Sequence, residues 1–188
     1  MKLAAVTAVS AALLIGASFA FVQDMPPKPQ PTKEHQWLQQ FVGEWTGEAE
    51  CSVPNQAPIK GTSTERVRKV GDLWVISDMK GSMGGMEMEA VFSIGYDPEK
   101  KSVVATWLDS SSSHLWTYTG AIDLAKNTLT LETEGPNMMD PTSTKSVKYR
   151  EVTEFKGKNE RVFTSNVQGA DGKWTPMAKG VSKRKGSA

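Results

Sequence analysis

Few side chains in this sequence stand at spacings that suggest chemistry, and His114 is the foremost. It lies in His114-Leu115-Trp116-Thr117-Tyr118. Residues two apart share a strand face, so the imidazole falls with Trp116 and Tyr118 on an apolar side that would point into the fold. A neutral imidazole there could ligate haem iron or another metal. The alternative is a hydrogen-bonded interior or rim histidine, and no second ligand stands beside it. The other histidine, His35, falls in a helical stretch and is expected to be exposed. Upstream, Asp109-Ser110-Ser111-Ser112-Ser113-His114 holds every residue type of a hydrolytic triad. A triad converges in space, and neighbours along one turn cannot present that geometry, so a serine-rich hairpin loop is the reading. No Gly-x-Ser-x-Gly elbow, His-Glu-x-x-His helix or glycine-rich phosphate loop occurs, and no catalytic residue is assigned.

Two further groups could bind. Met79, Met83, Met86 and Met88 cluster, and Met138-Met139 form a second pair. Thioethers are soft ligands for Cu(I), but flexible methionines equally suit the lining of an adaptable apolar pocket. Arg66 and Arg68 share a face and could hold a ligand carboxylate by bidentate bonds; the competing reading is a solvated outer face.

The elements that must position these groups follow from length and pattern. The chain has 188 residues, with 22 Lys and Arg against 21 Asp and Glu. One domain is expected, and a net charge near zero gives no field to gather nucleic acid or an anionic membrane. The lone Cys51 rules out an intramolecular disulfide and a multi-cysteine zinc site; it is expected to be a buried, inert thiol. Residues 1–20 read as a cleavable signal peptide: Lys2, then an uncharged Ala- and Leu-rich run ending in Ser18-Phe19-Ala20. Export to the periplasm or beyond is therefore expected, with no membrane span after cleavage and Phe21 near the mature terminus. Residues 21–31 carry Pro26, Pro27, Pro29 and Pro31 and read as an extended linker. A single domain is expected over 32–185, with a tail at 186–188.

Thr32 is a candidate N-cap for a short helix bearing Trp37, Leu38, Phe41 and Val42, stopped by Gly43. From Trp45 the hydrophobic period becomes two. Strands are expected near 44–53, 61–70, 73–80, 86–96, 102–109, 113–122, 128–134, 145–155, 160–168 and 174–184. No long amphipathic helix separates them, so parallel crossovers are excluded. About ten antiparallel strands must close or fold over to hide their edges, which points to an all-β, up-and-down β-barrel with a short entry helix; a sandwich is the alternative. Parity puts Met86, Met88, Phe92, Trp107, Trp116 and Tyr118 on one inward face, with His114 beside them. A bulge, for which Gly95 is a candidate position, would invert that parity.

Two sequence patterns carry a resemblance. Trp37-Leu38 running into Gly43-Glu44-Trp45 resembles the entry to lipocalin and fatty-acid-binding-protein barrels. That likeness implies that Trp45 plugs one barrel end and that Arg184, on the last strand, covers it. More specifically, Glu34-His35-Gln36-Trp37-Leu38, Val42-Gly43-Glu44-Trp45, Gly95-Tyr96-Asp97-Pro98, Thr106-Trp107-Leu108-Asp109-Ser110 and Val147-Lys148-Tyr149-Arg150 occur in this order. Together they resemble the domain-of-unknown-function family 1579, exported bacterial proteins for which a calycin-like barrel is implied and no particular activity. The small, polar Gly180-Val181-Ser182-Lys183 departs from the aromatic approach to Arg184 that the resemblance implies.

The expected function is thus a non-enzymatic exported barrel binding a small apolar molecule among Met86, Met88, Phe92, Trp107, His114, Trp116 and Tyr118, with Arg66 and Arg68 as polar contacts. The alternatives are a haem or metal barrel using His114, an enzyme whose site the sequence does not reveal, and a filled barrel acting as an interaction module. No cofactor is predicted outright, haem and copper being the two considered, and nothing sets an oligomeric state.

Overall fold

The computed structural model describes residues 27–52, 57–140 and 142–186. The expected leader and the first part of the proline segment lie outside them. Chain contacts group Pro31–Ala188 as one compact unit. It opens with helix α1 (Lys33–Leu38) and a 3-10 turn (Gln39–Phe41). Thr32 is the N-cap, and its backbone N–H donates to His35 Nδ1 at 3.0 Å, filling the role that a Glu or Gln plays in a capping box. This corrects the expectation that His35 is exposed: it is 3% exposed, its ring edge-on to Tyr96.

Ten strands follow: β1 Gly43–Cys51, β2 Ile59–Val70, β3 Trp74–Met83, β4 Met86–Asp97, β5 Ser102–Asp109, β6 Trp116–Asp123, β7 Thr128–Pro136, β8 Ser146–Phe155, β9 Glu160–Gln168 and β10 Trp174–Arg184. Each pairs antiparallel with its sequence neighbours, and β1 pairs with β10 from Trp45↔Arg184 to Cys51↔Ala178, closing the barrel. Closure satisfies the backbone groups that an open sheet would leave unpaired at its edges. Nine strands lie within a few residues of their expected bounds. The exception in consequence is β6, which begins at Trp116 rather than 113, so that His114 belongs to the preceding loop. The register irregularity falls between Pro176 and Ala178 on β10, not at Gly95, and parity holds across β3, β4 and β5.

The helix closes one end. Trp37, Leu38 and Phe41 pack with Trp45, Val67, Val75, Ile94, Val103, Leu129 and Phe155. Burial of each large apolar side chain contributes about 1.5–3 kcal/mol, so this plug is a substantial store of stability. Hydrogen bonds fix its orientation: Trp37 Nε1 donates to Asn127 Oδ1 at 2.7 Å and Trp45 Nε1 to the Phe41 carbonyl at 2.7 Å. On β1 the sheet packs closely at Gly47: a Cβ there would stand 2.6 Å from Ser63 Oγ and 3.2 Å from Ser182 Oγ, so a side chain would force one of these hydroxyls to move.

Candidate lumenal binding site

Alternation along the strands aims one face of every strand into the barrel. Among the expected lining residues, Met88, Phe92, Trp107, Trp116 and Tyr118 share that face, and the Phe92 and Trp107 rings are 6.4 Å apart. They divide into two groups. Trp116 and Tyr118 are buried in packing, Trp116 edge-on to both Tyr149 and His114. Met88, Phe92 and Trp107 keep part of their surface open although they face the inside of a closed barrel. Phe163 on β9 and Thr153 on β8, also inward by parity, are half-buried too. The lumen is therefore not packed solid between these walls.

Other expected contacts lie elsewhere. Met86 sits beside the Gly84-Gly85 turn and is 66% exposed, because the strand there has run past the barrel body. Arg66 and Arg68 are exposed on the outer face of β2, where the inward positions are Ser63, Glu65 and Val67. Arg68 lies 4.0 Å from Asp78, and Arg66 lines an outer groove of about 800 Å³ with Asp78, Lys80 and Glu89. Neither arginine reaches the lumen, because their strand parity is opposite to that of the apolar set. His114 sits half-buried at the rim, its ring 4.7 Å from that of Trp116 and its Nε2 close over Gly135. Among the described residues no group of three His, Cys, Asp or Glu side chains is placed to hold a metal ion, and no helix is long and apolar enough to cross a membrane. Cys51 is half-buried, and burial pushes its thiol up.

The Glu65–Arg161 pair inside the barrel was not singled out from sequence. Arg161 on β9 donates to Glu65 on β2, and Ser77 Oγ donates to the other Glu65 oxygen at 3.0 Å. The Arg161 guanidinium lies 4.7 Å from the Trp45 ring centre, and that of Arg184 lies 4.2 Å from it. Trp45 is thus contacted by two cations as well as by the apolar plug. Arg184 also donates to the carbonyls of Gln40 and Val42, tying the last strand to the entry segment. Further round, Trp107 Nε1 donates to Asp109 Oδ2 at 2.9 Å. Burial works against ionisation of Asp109, but hydrogen bonds from Ser111 and Trp107 hold its carboxyl below the usual range.

Glu151 on β8 is the most perturbed acid. It faces inward between Leu131 on β7 and Ser165 on β9, its register partners. Burial pushes its carboxyl up to about 7, against a downward pull from the Tyr118 hydroxyl, 3.5 Å away. Burial, followed by the Glu151 charge, pushes the Tyr118 phenol up in turn. Ser165 is 2% exposed, and its Oγ has no hydrogen-bond partner among the described residues. A signal for this patch was present: Val147, Tyr149, Glu151, Thr153 and Phe155 share a face, and Glu151 is the acid in an otherwise uncharged row.

A family model described as "Protein of unknown function (DUF1579)" matches residues 30–184. The chain belongs to this family. Among solved structures, the DUF1579 chain is similar to Rv2717c from M. tuberculosis, with a TM-score of 0.60 and 12% identity, over 83% of this chain and 99% of that one. It is also similar to the S-type phycobiliprotein lyase CPES from Guillardia theta, with a TM-score of 0.51 and 14% identity, over 85% and 100%. At these identities the likeness establishes the barrel architecture of the DUF1579 chain alone. No curated protein matches it.

Proposed function

We propose that this protein is an exported, lipocalin-like barrel that binds one small, mostly apolar molecule in its lumen. The observation that carries the reading is the incomplete burial of inward-facing Met88, Phe92, Trp107 and Phe163 inside a closed ring of strands. An apolar wall left open to water gains free energy when a ligand covers it, and mostly apolar walls with a few polar groups are the usual make-up of small-molecule sites. The helix end is sealed by Trp37, Phe41 and Trp45, so a ligand enters from the opposite end, past the β3–β4 turn and the loop carrying His114.

Native mass spectrometry of protein purified from its own host is the first test, with a co-purified small-molecule mass expected. Titration of the emptied protein with N-phenyl-1-naphthylamine should give saturable binding, one probe per chain, with quenching of tryptophan emission. Absence of both a co-purified mass and saturable probe binding would sink the proposal.

A further inference from the structure

We propose that Glu151, Tyr118 and Ser165 form the recognition point for a protonated nitrogen, so that the preferred occupant is an apolar, ring-containing molecule carrying an amine or a cationic nitrogen heterocycle. This rests on the lumenal binding proposed above and names the chemistry of its ligand.

The argument is one of unmet hydrogen-bonding capacity. An ionised carboxylate offers about four lone-pair sites. Among the described residues Glu151 receives one hydrogen bond, from Tyr118 at 3.5 Å, the outer limit of a useful length. Ser165, its register partner on β9, holds a buried hydroxyl with no hydrogen-bond partner among the described residues. The strand face that carries all three groups also carries the half-buried aromatic wall. Buried polar atoms in native folds are almost always satisfied, so a cluster of under-satisfied ones on the lumenal face marks where a ligand's polar group belongs.

Charge decides the sign of that group. Arg161, from β9, is held by Glu65 from β2 and is not free to meet an anion. Asp109, from β5, adds a second carboxylate and acts on Tyr118. The inward positions of β7 are Leu129, Leu131 and Thr133, and those of β10 are Ala178, Gly180 and Ser182, while Arg184 lies at the helix end over Trp45. Away from Arg184 at the helix end, the charged groups that the described residues aim into the lumen are thus one ion pair plus two carboxyls. An anion is repelled, a neutral ligand leaves Glu151 uncompensated, and a protonated nitrogen supplies both charge and N–H donors. Such a site is pH-dependent. Glu151 has its carboxyl pushed up to about 7, so its ionised fraction rises roughly 30-fold between about pH 5.5 and about pH 8.5, and the affinity for an amine that stays protonated should rise by up to that factor.

Calorimetric titration of the full chain with 1-naphthylmethylammonium, 1-naphthylmethanol and 1-naphthoate, at those two pH values, tests this. At the higher pH the ammonium probe should bind roughly tenfold or more tightly than the alcohol, with the carboxylate weakest. That advantage should shrink at the lower pH. Glu151→Gln should bring the ammonium probe close to the alcohol's affinity at both pH values, and Ser165→Ala should weaken the ammonium probe by a smaller factor. If the alcohol or the carboxylate binds as tightly as the ammonium probe, or if Glu151→Gln leaves ammonium affinity intact, this inference is overturned while lumenal binding stands. If none of the three binds, both fall. Should the Gln variant not fold, the wild-type comparison across charge and pH decides alone.

Discussion

Replacing Glu65 by Gln isolates the contribution of the buried ion pair. Side-chain exposure is 8% for Arg161 and 14% for Glu65, so the pair is largely screened from water. The substitution keeps the volume and leaves an amide oxygen to accept from Ser77 or Arg161. It removes the negative charge, which leaves the Arg161 guanidinium facing Phe41 and Trp45, with Arg184 on the same indole. Orphaning one partner of a buried pair costs about 3–5 kcal/mol, and the retained hydrogen bond argues for the lower end, about 3 kcal/mol. With a urea dependence of about 2 kcal/mol per molar, the midpoint should fall by about 1.5 M. In a thermal scan the same loss is worth about 6–12 °C. Urea unfolding followed by both far-ultraviolet circular dichroism and tryptophan emission is the assay, and the two probes should report one midpoint. The paired change Glu65→Leu with Arg161→Met should recover most of the loss, because an apolar replacement of similar volume removes the desolvation penalty along with the attraction. A Glu65→Gln midpoint indistinguishable from wild type, or a paired variant no more stable than the single one, would refute the reasoning.

Trp45→Ala should destabilise by about 3–5 kcal/mol, since it deletes a buried ring held by two guanidinium groups and a hydrogen bond to Phe41; an unchanged denaturation midpoint would count against the plug. Glu151 makes stability depend on pH with a definite sign. The folded carboxyl keeps its proton up to about 7 whereas the ordinary value is 4.5, so wild type loses stability as pH rises through that window. At roughly 1.4 kcal/mol per pH step the total is about 3 kcal/mol, so urea midpoints of Glu151→Gln should stay flat where wild type declines, and parallel profiles would be the contrary result. The proposed export predicts Phe21 or a close neighbour as the first residue of the mature chain; terminal sequencing that recovers Met1 from a membrane fraction would favour an uncleaved anchor instead.

Period-two alternation made the barrel legible in the sequence because the walls facing in and out differ in chemistry. Met88, Phe92, Trp107, Trp116 and Tyr118 fall inward as parity requires, opposite Glu87, Glu89, Ser93, Thr117 and Thr119. What parity cannot give is where a strand ends relative to the barrel body, which is why Met86 is exposed and His114 sits in a loop at the rim. Arg66 and Arg68 were open to two readings because β2 has few apolar residues, and a strand without an apolar face carries no label for inside. The polar patch escaped for a related reason. Glu151, Ser165, Glu65 and Arg161 are ordinary surface types far apart in sequence, and only the closure of β1 on β10 brings β2 and β9 near enough for Glu65 to meet Arg161.

The two buried polar sets have opposite consequences because one is complete and the other is not. Around Trp45 every strong group has a partner: Glu65 accepts from Arg161 and Ser77, Arg184 donates to two carbonyls, and the indole N–H donates to a third. A satisfied network beside a packed apolar plug favours a single arrangement, and it fixes the closed end. Farther along the same lumen Glu151 and Ser165 share a register pair without a hydrogen bond to each other and face a wall that water can reach. Leaving these groups unmet lowers stability, and the buried apolar core works against that loss. The barrel thus places its satisfied polar network at the helix end and its unmet polar capacity farther along the lumen. On the proposed function, that arrangement would let the lumenal wall take up or release a ligand without disturbing the contacts that hold the ring of strands closed.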